Sequence, residues 1–356
     1  MKIENFIGNR KLWRVLLCAI IFNFQFSIFN SANAQIAGLN TLTLLDLSPT
    51  ARTSGLGFDY LTLYDADATL VLDNPSLLRA AMAGNASLTF ATLFDGGSMG
   101  SLAYVHNFKH IGPLAFSFRF NNYGRFRAYD EQDMPQGEFS AADYAIAISW
   151  AMPIDSHFAI GATLKPILSH YESYHAAALA IDLAGSYFST NRRLAATLMA
   201  RNIGAQITTF DEVVETLPFE LSAEVSYKLS NAPFRIFFAA TELQRWNLRY
   251  EDPNRPTSTT DPFTGEVTAE GWFSGFADNL LRHTQLGVEL SIGKALFARL
   301  GYSYRQTMEM RGVDAFNLSG FSFGIGIHTR RFDFAYARRN YHLSQAPNFF
   351  TLSYRF

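Results

Sequence analysis

The chain has 356 residues, of which 15% are aromatic and 17% are charged, and its formal net charge is -2 at pH 7. Globular domains carry about 25% charged residues and disordered chains lack aromatic residues, so the composition favours neither an ordinary cytosolic domain nor a disordered chain. The small net charge removes the electrostatic basis for binding nucleic acid. No Pro/Ser-rich linker interrupts residues 35–356, so we treat them as one unit.

Residues 1–34 have the pattern of a secretory signal peptide. A basic start is followed by an apolar stretch at 16–29, and residues 32–34 read Ala-Asn-Ala, the small-x-small site that signal peptidase cleaves. We expect cleavage before Gln35. The alternative is a retained membrane anchor, but a spanning helix needs about 20 apolar residues, and this stretch is shorter and contains two polar residues.

Residues 35–85 have no sustained strand or helix periodicity. Turn-forming residues at Pro49, Gly57 and Pro75 separate short apolar runs. We therefore predict short helices and turns in this region.

From residue 86 onwards, apolar residues alternate with polar or small ones, which is the two-residue period of a β-strand. At 114–120, Leu and Phe residues alternate with Ala, Ser and Arg, and at 321–327 Phe and Ile residues alternate with Ser and Gly. Fourteen strands are predicted, at 86–94, 98–108, 112–123, 138–152, 156–170, 173–189, 192–204, 217–230, 233–248, 282–293, 295–309, 315–329, 331–342 and 346–356.

The lengths of these segments favour a transmembrane antiparallel β-barrel over a soluble β-sandwich. Sandwich strands average about five or six residues, whereas a strand of about ten residues crosses a bilayer. Tight turns follow predicted strands 4, 6, 8, 10 and 12, and long connections follow strands 3, 7 and 9, as in outer-membrane barrels. We predict an all-β fold: a barrel of about 14 strands at 86–356, with 35–85 as a plug in its lumen, in the outer membrane of a Gram-negative bacterium.

The last predicted strand ends with an alternating aromatic pattern, in which Phe350, Leu352, Tyr354 and Phe356 share one face. A terminal aromatic residue preceded by apolar residues at alternate positions resembles the insertion signal of outer-membrane barrels. We predict that these residues direct assembly.

The sequence contains five short motifs: Ser-Pro-Thr-Ala-Arg at 48–52, Gly-Leu-Gly at 55–57, Asn-Pro-Ser-Leu-Leu at 74–78, Phe-Ser-Ala-Ala-Asp-Tyr at 139–144 and Arg-Asn-Ile-Gly at 201–204. Together they resemble the FadL-like superfamily of fourteen-stranded barrels, in particular the PorV and PorQ proteins of the type IX secretion system. The resemblance implies a non-enzymatic barrel in a surface attachment complex with PorU and PorV, where it holds a PorZ-like partner and where cargo is fixed to lipopolysaccharide.

Two groups of residues invite a chemical interpretation. The Asp-Ala-Asp at 65–67 matches the nucleophile motif of haloacid-dehalogenase-type phosphatases, but such an enzyme needs a parallel α/β domain. The same aspartates could hold Ca²⁺, although Leu70 stands where an EF-hand loop needs Gly. His170, Glu172 and His175, on a predicted outer loop, could serve an omptin-type protease only if they converge with other groups. We expect no enzyme activity, no cofactor and no metal.

The longest predicted connection, at 249–281, has a polar half rich in Pro and Thr and then an aromatic cluster. These aromatic residues could belong to the girdle at the outer membrane interface, or they could form a hot spot for a surface partner. The connection at 124–137 faces the same side. The predicted partner-binding residues are Tyr129, Asp130, Glu131, Trp246, Tyr250, Trp272, Phe273 and Phe276.

Three functions remain open. The first is a docking protein of the type IX attachment complex, the second is a FadL-like transporter of hydrophobic small molecules, and the third is a barrel enzyme. Strand charges such as Arg119, Glu220 and Glu289 are expected to face the lumen and close it, because a charge facing lipid costs about 2–4 kcal/mol at the midplane. This expectation favours the first function over the second.

Overall fold

The computed structural model describes residues 42–93, 96–211, 214–249, 258–260, 267–269, 271–310, 318–340 and 346–356. The predicted signal peptide at 1–34 and its cleavage site before Gln35 lie outside the described residues, as does Tyr250. Within the described ranges, no helix is both long and apolar enough to cross a membrane.

Fourteen antiparallel strands close into a barrel, which confirms the predicted fold class. The ring closes where the strand Asn85–Thr92 pairs with the strand Asn348–Arg355, with Asn85 opposite Arg355 and Thr92 opposite Asn348. The barrel strands are β1 (Asn85–Thr92), β2 (Ser98–Phe108), β3 (Gly112–Tyr129), β4 (Pro135–Pro153), β5 (Phe158–Tyr171), β6 (Tyr174–Phe188), β7 (Leu194–Thr208), β8 (Glu220–Lys228), β9 (Phe234–Ala240), β12 (Thr284–Ile292), β13 (Leu296–Ser303), β14 (Phe321–His328), β15 (Phe332–Arg339) and β16 (Asn348–Arg355). Between β9 and β12, β10 (Ser258–Thr260) and β11 (Val267–Ala269) form a separate hairpin.

The barrel wall has two heights. Strands β3–β7, here called the tall wall, have 14 to 19 residues. Strands β8, β9 and β12–β16, the low wall, have seven to nine. At about 3.3 Å per residue and a tilt of about 40°, β4 rises ~48 Å along the barrel axis and β16 only ~20 Å. Because the apolar band of such barrels is about 25 Å tall, the low wall falls short of its full height and the tall wall projects beyond it.

The connections follow the predicted alternation in most places. Turns of three to five residues join β4 to β5, β6 to β7, β8 to β9, β12 to β13 and β14 to β15, and we assign this end to the periplasm. The opposite end carries the long connections at 241–283 and 304–320. Not every outer connection is long, because β3 and β4 are joined through residues 130–134 and β5 and β6 through residues 172–173.

Four sequence predictions need correction. The strand predicted at 233–248 ends at Ala240, and Glu242 has a left-handed φ of 57°. The strand predicted at 295–309 ends at Ser303, whose side chain accepts a hydrogen bond from Gln306 N and so caps a helix over 304–309. The loop predicted at 124–137 is mostly strand, because β3 and β4 continue into it. The connection at 249–281 is not purely a loop, since a helix begins at Trp272.

The two faces of the barrel are reversed relative to a soluble protein. Large apolar side chains such as Leu102, Leu183 and Ile325 are exposed on the outside, whereas Thr89, Ser226 and similar polar residues are buried inside. Every barrel strand is paired on both sides, so the backbone groups need no water in the hydrocarbon region. This arrangement is that of a transmembrane barrel.

Residues 42–84 fill the lumen as a plug. Helix α1 (Ala51–Leu56) is capped at its start by Thr50, whose side chain accepts a hydrogen bond from Thr53 N. Gly57, in the left-handed conformation, caps its end. All six residues of α1 are buried. Four short 3-10 helices complete the plug, at Thr43–Leu45, Ala68–Leu72, Pro75–Leu77 and Ala80–Met82.

Glycines in the low wall make room for α1. A Cβ on Gly301 would lie 1.9 Å from Leu56 O, and a Cβ on Gly287 would lie 2.7 Å from the Phe58 ring. Gly324 of the neighbouring strand lies against Gly55 in the same way. The glycines on the inward faces of β12–β14 therefore form the seat of the plug helix.

Candidate functional site

The plug is joined to the low wall by a network of charges around the buried Arg52. Arg52 of α1 bonds through Nη1 to Asp65 at 2.9 Å and to Asp67 at 2.8 Å, and through Nη2 to Glu289 of β12 at 3.4 Å. Glu289 also accepts a hydrogen bond from Arg299 Nε of β13 at 2.8 Å. The aspartates of the phosphatase-like motif are thus partners of an arginine in the plug.

Wall side chains also hydrogen-bond the irregular backbone of the plug. Arg119 donates to the carbonyl oxygens of Leu44 at 2.9 Å and of Leu47, and Arg339 donates to Phe58 O at 3.0 Å. A non-helical backbone at membrane depth needs such donors, because an unpaired carbonyl there has no water to bind. The predicted lumen-facing charges therefore also hold the plug in place.

A third buried cluster lies on the tall wall and was not anticipated from the sequence. Lys165 of β5 pairs with Asp182 of β6 at 2.7 Å and donates to Asn202 Oδ1 of β7 at 2.6 Å. Asn202 has a left-handed φ of 57°, at a register shift between β6 and β7. The available signal was an Asn within a strand pattern, because Asn tolerates this conformation better than most residues.

Asp73 of the plug is a buried carboxyl that forms no ion pair within 4 Å with any of the described residues. It accepts a hydrogen bond from Thr53 Oγ1 at 3.1 Å. Burial raises the pKa of Asp73 to about 7, because the attraction of Arg119 and Arg201 only partly offsets the loss of hydration.

One cavity lies between the plug and the low wall, at the periplasmic end. It measures about 190 Å³ and is lined by charged residues such as Arg52 and Lys294 and by apolar residues such as Phe297, Ile327 and Phe334. Typical ligand pockets measure roughly 300–1,000 Å³. This cavity is therefore smaller than a typical ligand pocket and has a mixed lining.

On the outer side, β3 and β4 continue past their neighbours as a two-stranded ribbon over 125–140. Pairing of β3 with β2 ends at Asn122, and pairing of β4 with β5 begins at Ala141. Among the described residues the ribbon therefore has no neighbouring strand on either edge. Phe126 and Phe139 stack across it with ring centroids 5.3 Å apart.

The predicted contact residues Tyr129, Asp130 and Glu131 lie at the tip of this ribbon. Asp130 Oδ1 accepts hydrogen bonds from Gln132 N at 3.0 Å and from Met134 N at 2.8 Å. These backbone hydrogen bonds lower the pKa of the carboxyl. Asp130 therefore shapes the turn, whereas Tyr129 is 53% exposed and available for contact.

Beside the ribbon lies a groove of about 490 Å³. Its lining includes Arg125, Glu138 and Phe139 of the ribbon together with Glu172 and Ser173 of the β5–β6 turn. The groove is open to the outside and combines charged groups with one aromatic face.

Four other predicted contact residues lie on or beside helix α2 (Trp272–Arg282). The ring centroids of Trp246 and Phe276 are 5.7 Å apart, and those of Trp272 and Phe276 are 5.6 Å apart. Phe273 is exposed beside them. The structure thus groups these four aromatic residues on an element distinct from the ribbon.

The histidine pair at the β5–β6 turn forms a local contact. His170 and His175 face each other across the hairpin, with their Nδ1 atoms 3.1 Å apart. Glu172 adopts a left-handed conformation in the turn, and Asp130 bonds within its own turn rather than to either histidine. A search of the described part of the chain found no group of three His, Cys, Asp or Glu residues suited to hold a metal ion.

The residues of the predicted insertion signal lie where the alternation places them. Phe350 and Leu352 are exposed on the outer face of β16. Tyr354 packs against Phe332, and Phe356 N donates to Gly84 O at 3.1 Å, close to the barrel seam. Their role in assembly remains a prediction.

Comparison with known proteins bears on the fold. A scan against models of protein families found no match, and neither did a search of curated proteins. Among solved structures, the toluene transporter TodX of Pseudomonas putida aligns with a TM-score of 0.51 at 11% identity, over 87% of this chain and 98% of that one. The toluene transporter TbuX of Ralstonia pickettii aligns with a TM-score of 0.50 at 10% identity, over 88% and 99%.

At these identities the likeness concerns the fold alone. A closed barrel with an even strand number and an apolar outer belt is an outer-membrane architecture. The chain is accordingly a plugged fourteen-stranded barrel of the outer membrane, as predicted.

Proposed function

We propose that this protein is a non-enzymatic surface platform: a closed outer-membrane barrel that works through its outer side rather than through its lumen. The filled lumen carries this proposal. The plug buries α1 completely, the low wall has glycines where α1 sits, and Arg52 is held by carboxylates from both sides. A passage would require these contacts to break.

More specifically, we propose that the protein belongs to the attachment complex of the type IX secretion system and holds a PorZ-like partner, with PorU and PorV in the same assembly. Support comes from the sequence motifs that resemble PorQ and from the ribbon, which projects from the tall wall and has a groove beside it. Tyr129 and Met134 at its tip are exposed, and aromatic residues are common anchors of protein interfaces.

The test is co-purification from outer membranes. Replacing Tyr129 and Met134 with alanine should remove the bound surface partner while the barrel still assembles, as judged by its heat-modifiable mobility on gels. The matched control replaces Ile207 and Val214, two exposed apolar residues on another outer segment, and should retain the partner. Equal retention in both variants would contradict docking by the ribbon.

A second candidate is a transporter of hydrophobic small molecules. It is favoured by the likeness in fold to TodX and TbuX, both described as toluene transporters. Transport would require the plug to move away from its glycine seat. Uptake of radiolabelled toluene into vesicles holding the intact protein, at a rate above that of empty vesicles, would favour this candidate over the platform.

A further inference from the structure

We propose that helix α2 lies in the outer leaflet of the membrane, with its aromatic face in the acyl region and its polar face on the barrel. The exposed side of α2 is apolar. Trp272 is 80% exposed and Phe273 is 72% exposed, and Phe276 and Leu280 follow on the same stripe at four-residue spacing. Residues four apart share one face of a helix, so the stripe is continuous.

The polar side of α2 faces the protein. Asn279 is buried, donates to Trp246 O at 2.6 Å and accepts a hydrogen bond from Leu248 N at 2.9 Å. Asp278 accepts hydrogen bonds from Arg282 at 2.9 Å and from the hydroxyl of Tyr304 at 2.9 Å. Tyr304 is the first residue of the short helix α3 (Tyr304–Glu309). A helix at a water-exposed surface has the opposite arrangement, with its apolar face inwards.

Charges around Asp278 fix this orientation. Arg249 pairs with the same carboxylate at 3.0 Å, so two guanidinium groups converge on it. Burial of Asp278 would raise its pKa, but the hydrogen bonds from Arg282 and Tyr304 outweigh this effect and lower it. The carboxylate therefore stays ionised at neutral pH and keeps the polar face turned towards the barrel.

The exposed stripe continues into the surface that the barrel already presents to lipid. Helix α2 leads directly into β12, whose first outward residue, Leu286, lies opposite Phe238 of β9. Both side chains are exposed in the apolar belt. Because the low wall rises only ~20 Å, its outer end lies near the membrane interface, the depth that Trp residues favour. In-plane helices at this depth bury their apolar face in lipid.

This placement selects between the two interpretations of the aromatic cluster. Trp246, Trp272, Phe273 and Phe276 belong to the membrane side, and partner contact is left to the ribbon. The proposal does not depend on the identity of the partner.

Spin labels at single cysteines test the depth of α2. The chain has one cysteine, Cys18, which lies in the predicted signal peptide and is removed by cleavage before Gln35, so each variant carries a single cysteine. Phe273→Cys and Leu280→Cys are labelled in vesicles of phosphatidylcholine, and collision rates with oxygen, which partitions into lipid, and with a water-soluble nickel chelate are compared. Leu286→Cys marks the lipid belt and Met134→Cys marks the aqueous ribbon tip.

We expect the oxygen-to-nickel ratio at 273 and 280 to exceed that at 134 several-fold and to approach that at 286. A ratio equal to that at 134 would overturn the proposal and leave the face to a protein partner. Because a label can alter the helix, a second measurement uses Trp272 itself, in a variant with the other three tryptophans changed to phenylalanine. Quenching by dibrominated phosphatidylcholine supports the proposal, whereas quenching by aqueous acrylamide alone overturns it.

Discussion

The tall and low walls of this barrel have the same alternation of residues but different roles. The low wall, β8, β9 and β12–β16, falls short of the full height of the apolar band and has glycines on its inner face, where α1 of the plug sits. The tall wall, β3–β7, also holds the plug, because Gly161 of β5 lies against the backbone of Pro75 and Ser76 and Arg119 of β3 donates to Leu44 O. In addition, the tall wall extends outwards as the ribbon. Strand length therefore separates the part of the wall that seats α1 from the part that reaches the medium.

The largest expected effect comes from blocking the seat of the plug. Gly301→Ala places a Cβ against the backbone of Leu56, so α1 cannot sit on the low wall without a shift of the plug. We expect a loss of about 3–5 kcal/mol in the free energy of unfolding. The measurement is urea unfolding in lipid vesicles.

Gly185→Ala in the tall wall is the matched control, because a Cβ there meets nothing within 4 Å. Its unfolding curve should resemble that of the unchanged protein. Equal destabilisation by the two substitutions would show that the close fit of α1 against Gly301 does not cause the loss.

Removing the plug arginine should have the next largest effect. Arg52→Gln leaves Asp65, Asp67 and Glu289 with fewer counter-charges in a buried site, which costs about 3 kcal/mol. The control is Arg125→Gln on the ribbon, whose pair with Glu138 is exposed and contributes less than about 1 kcal/mol. Urea unfolding of both variants tests the difference, and a larger loss in the ribbon variant would refute it.

The pH dependence of stability should report the contact of the plug with the tall wall. Asp73 has a pKa of about 7 in the folded protein, whereas an unfolded aspartate ionises near 3.9. The folded state then holds one proton more than the unfolded state between about pH 4 and pH 7, so this group lowers the free energy of unfolding as the pH rises through that window. The contribution is greatest below pH 4 and is lost above pH 7.

Asp73→Asn removes this titration and keeps the shape of the side chain. We expect the variant to match the unchanged protein at pH 4. At pH 8 it should be more stable by about 1.4 kcal/mol for each pH unit between the unfolded and the folded pKa of Asp73, which is a few kcal/mol at most. Identical pH profiles for the two proteins would contradict the assignment.

The smallest effect is expected on the ribbon. Asp130→Ala removes the acceptor of the Gln132 and Met134 amides, so hydrogen exchange at these two amides should become faster. Unfolding of the barrel should not change, because the ribbon adds nothing to the ring of paired strands. A loss of barrel stability would show that the ribbon is part of the wall rather than an extension of it.

The sequence predicted the barrel because alternation is a local property. Each strand carries its own inner and outer face, and the last residues, Phe350 to Phe356, already show which face meets lipid. Helices α2 and α3 were not predicted, although the sequence contains signals for both. Ser303 and Gln306 have the spacing of a capping box, and Trp272, Phe276 and Leu280 have helical spacing.

The plug contacts could not be predicted in the same way. Arg52 and Glu289 are 237 residues apart, and no local pattern joins them. In the sequence, the glycines at 287, 301 and 324 look like ordinary small residues on one face of a strand. The contact with the plug explains why no side chain fits there. The ribbon was missed because its strands continue through residues with the composition of a loop.

The most direct test of a platform function is electrical recording from the intact protein in planar lipid bilayers. Because the plug fills the lumen and is held by Arg52 and by the glycine seat, we predict no steady conductance above that of the bare membrane. A protein lacking residues 42–84 serves as the reference and should conduct if its barrel stays closed on itself. A large and stable conductance from the intact protein would contradict the closed lumen and, with it, the placement of function on the outer surface.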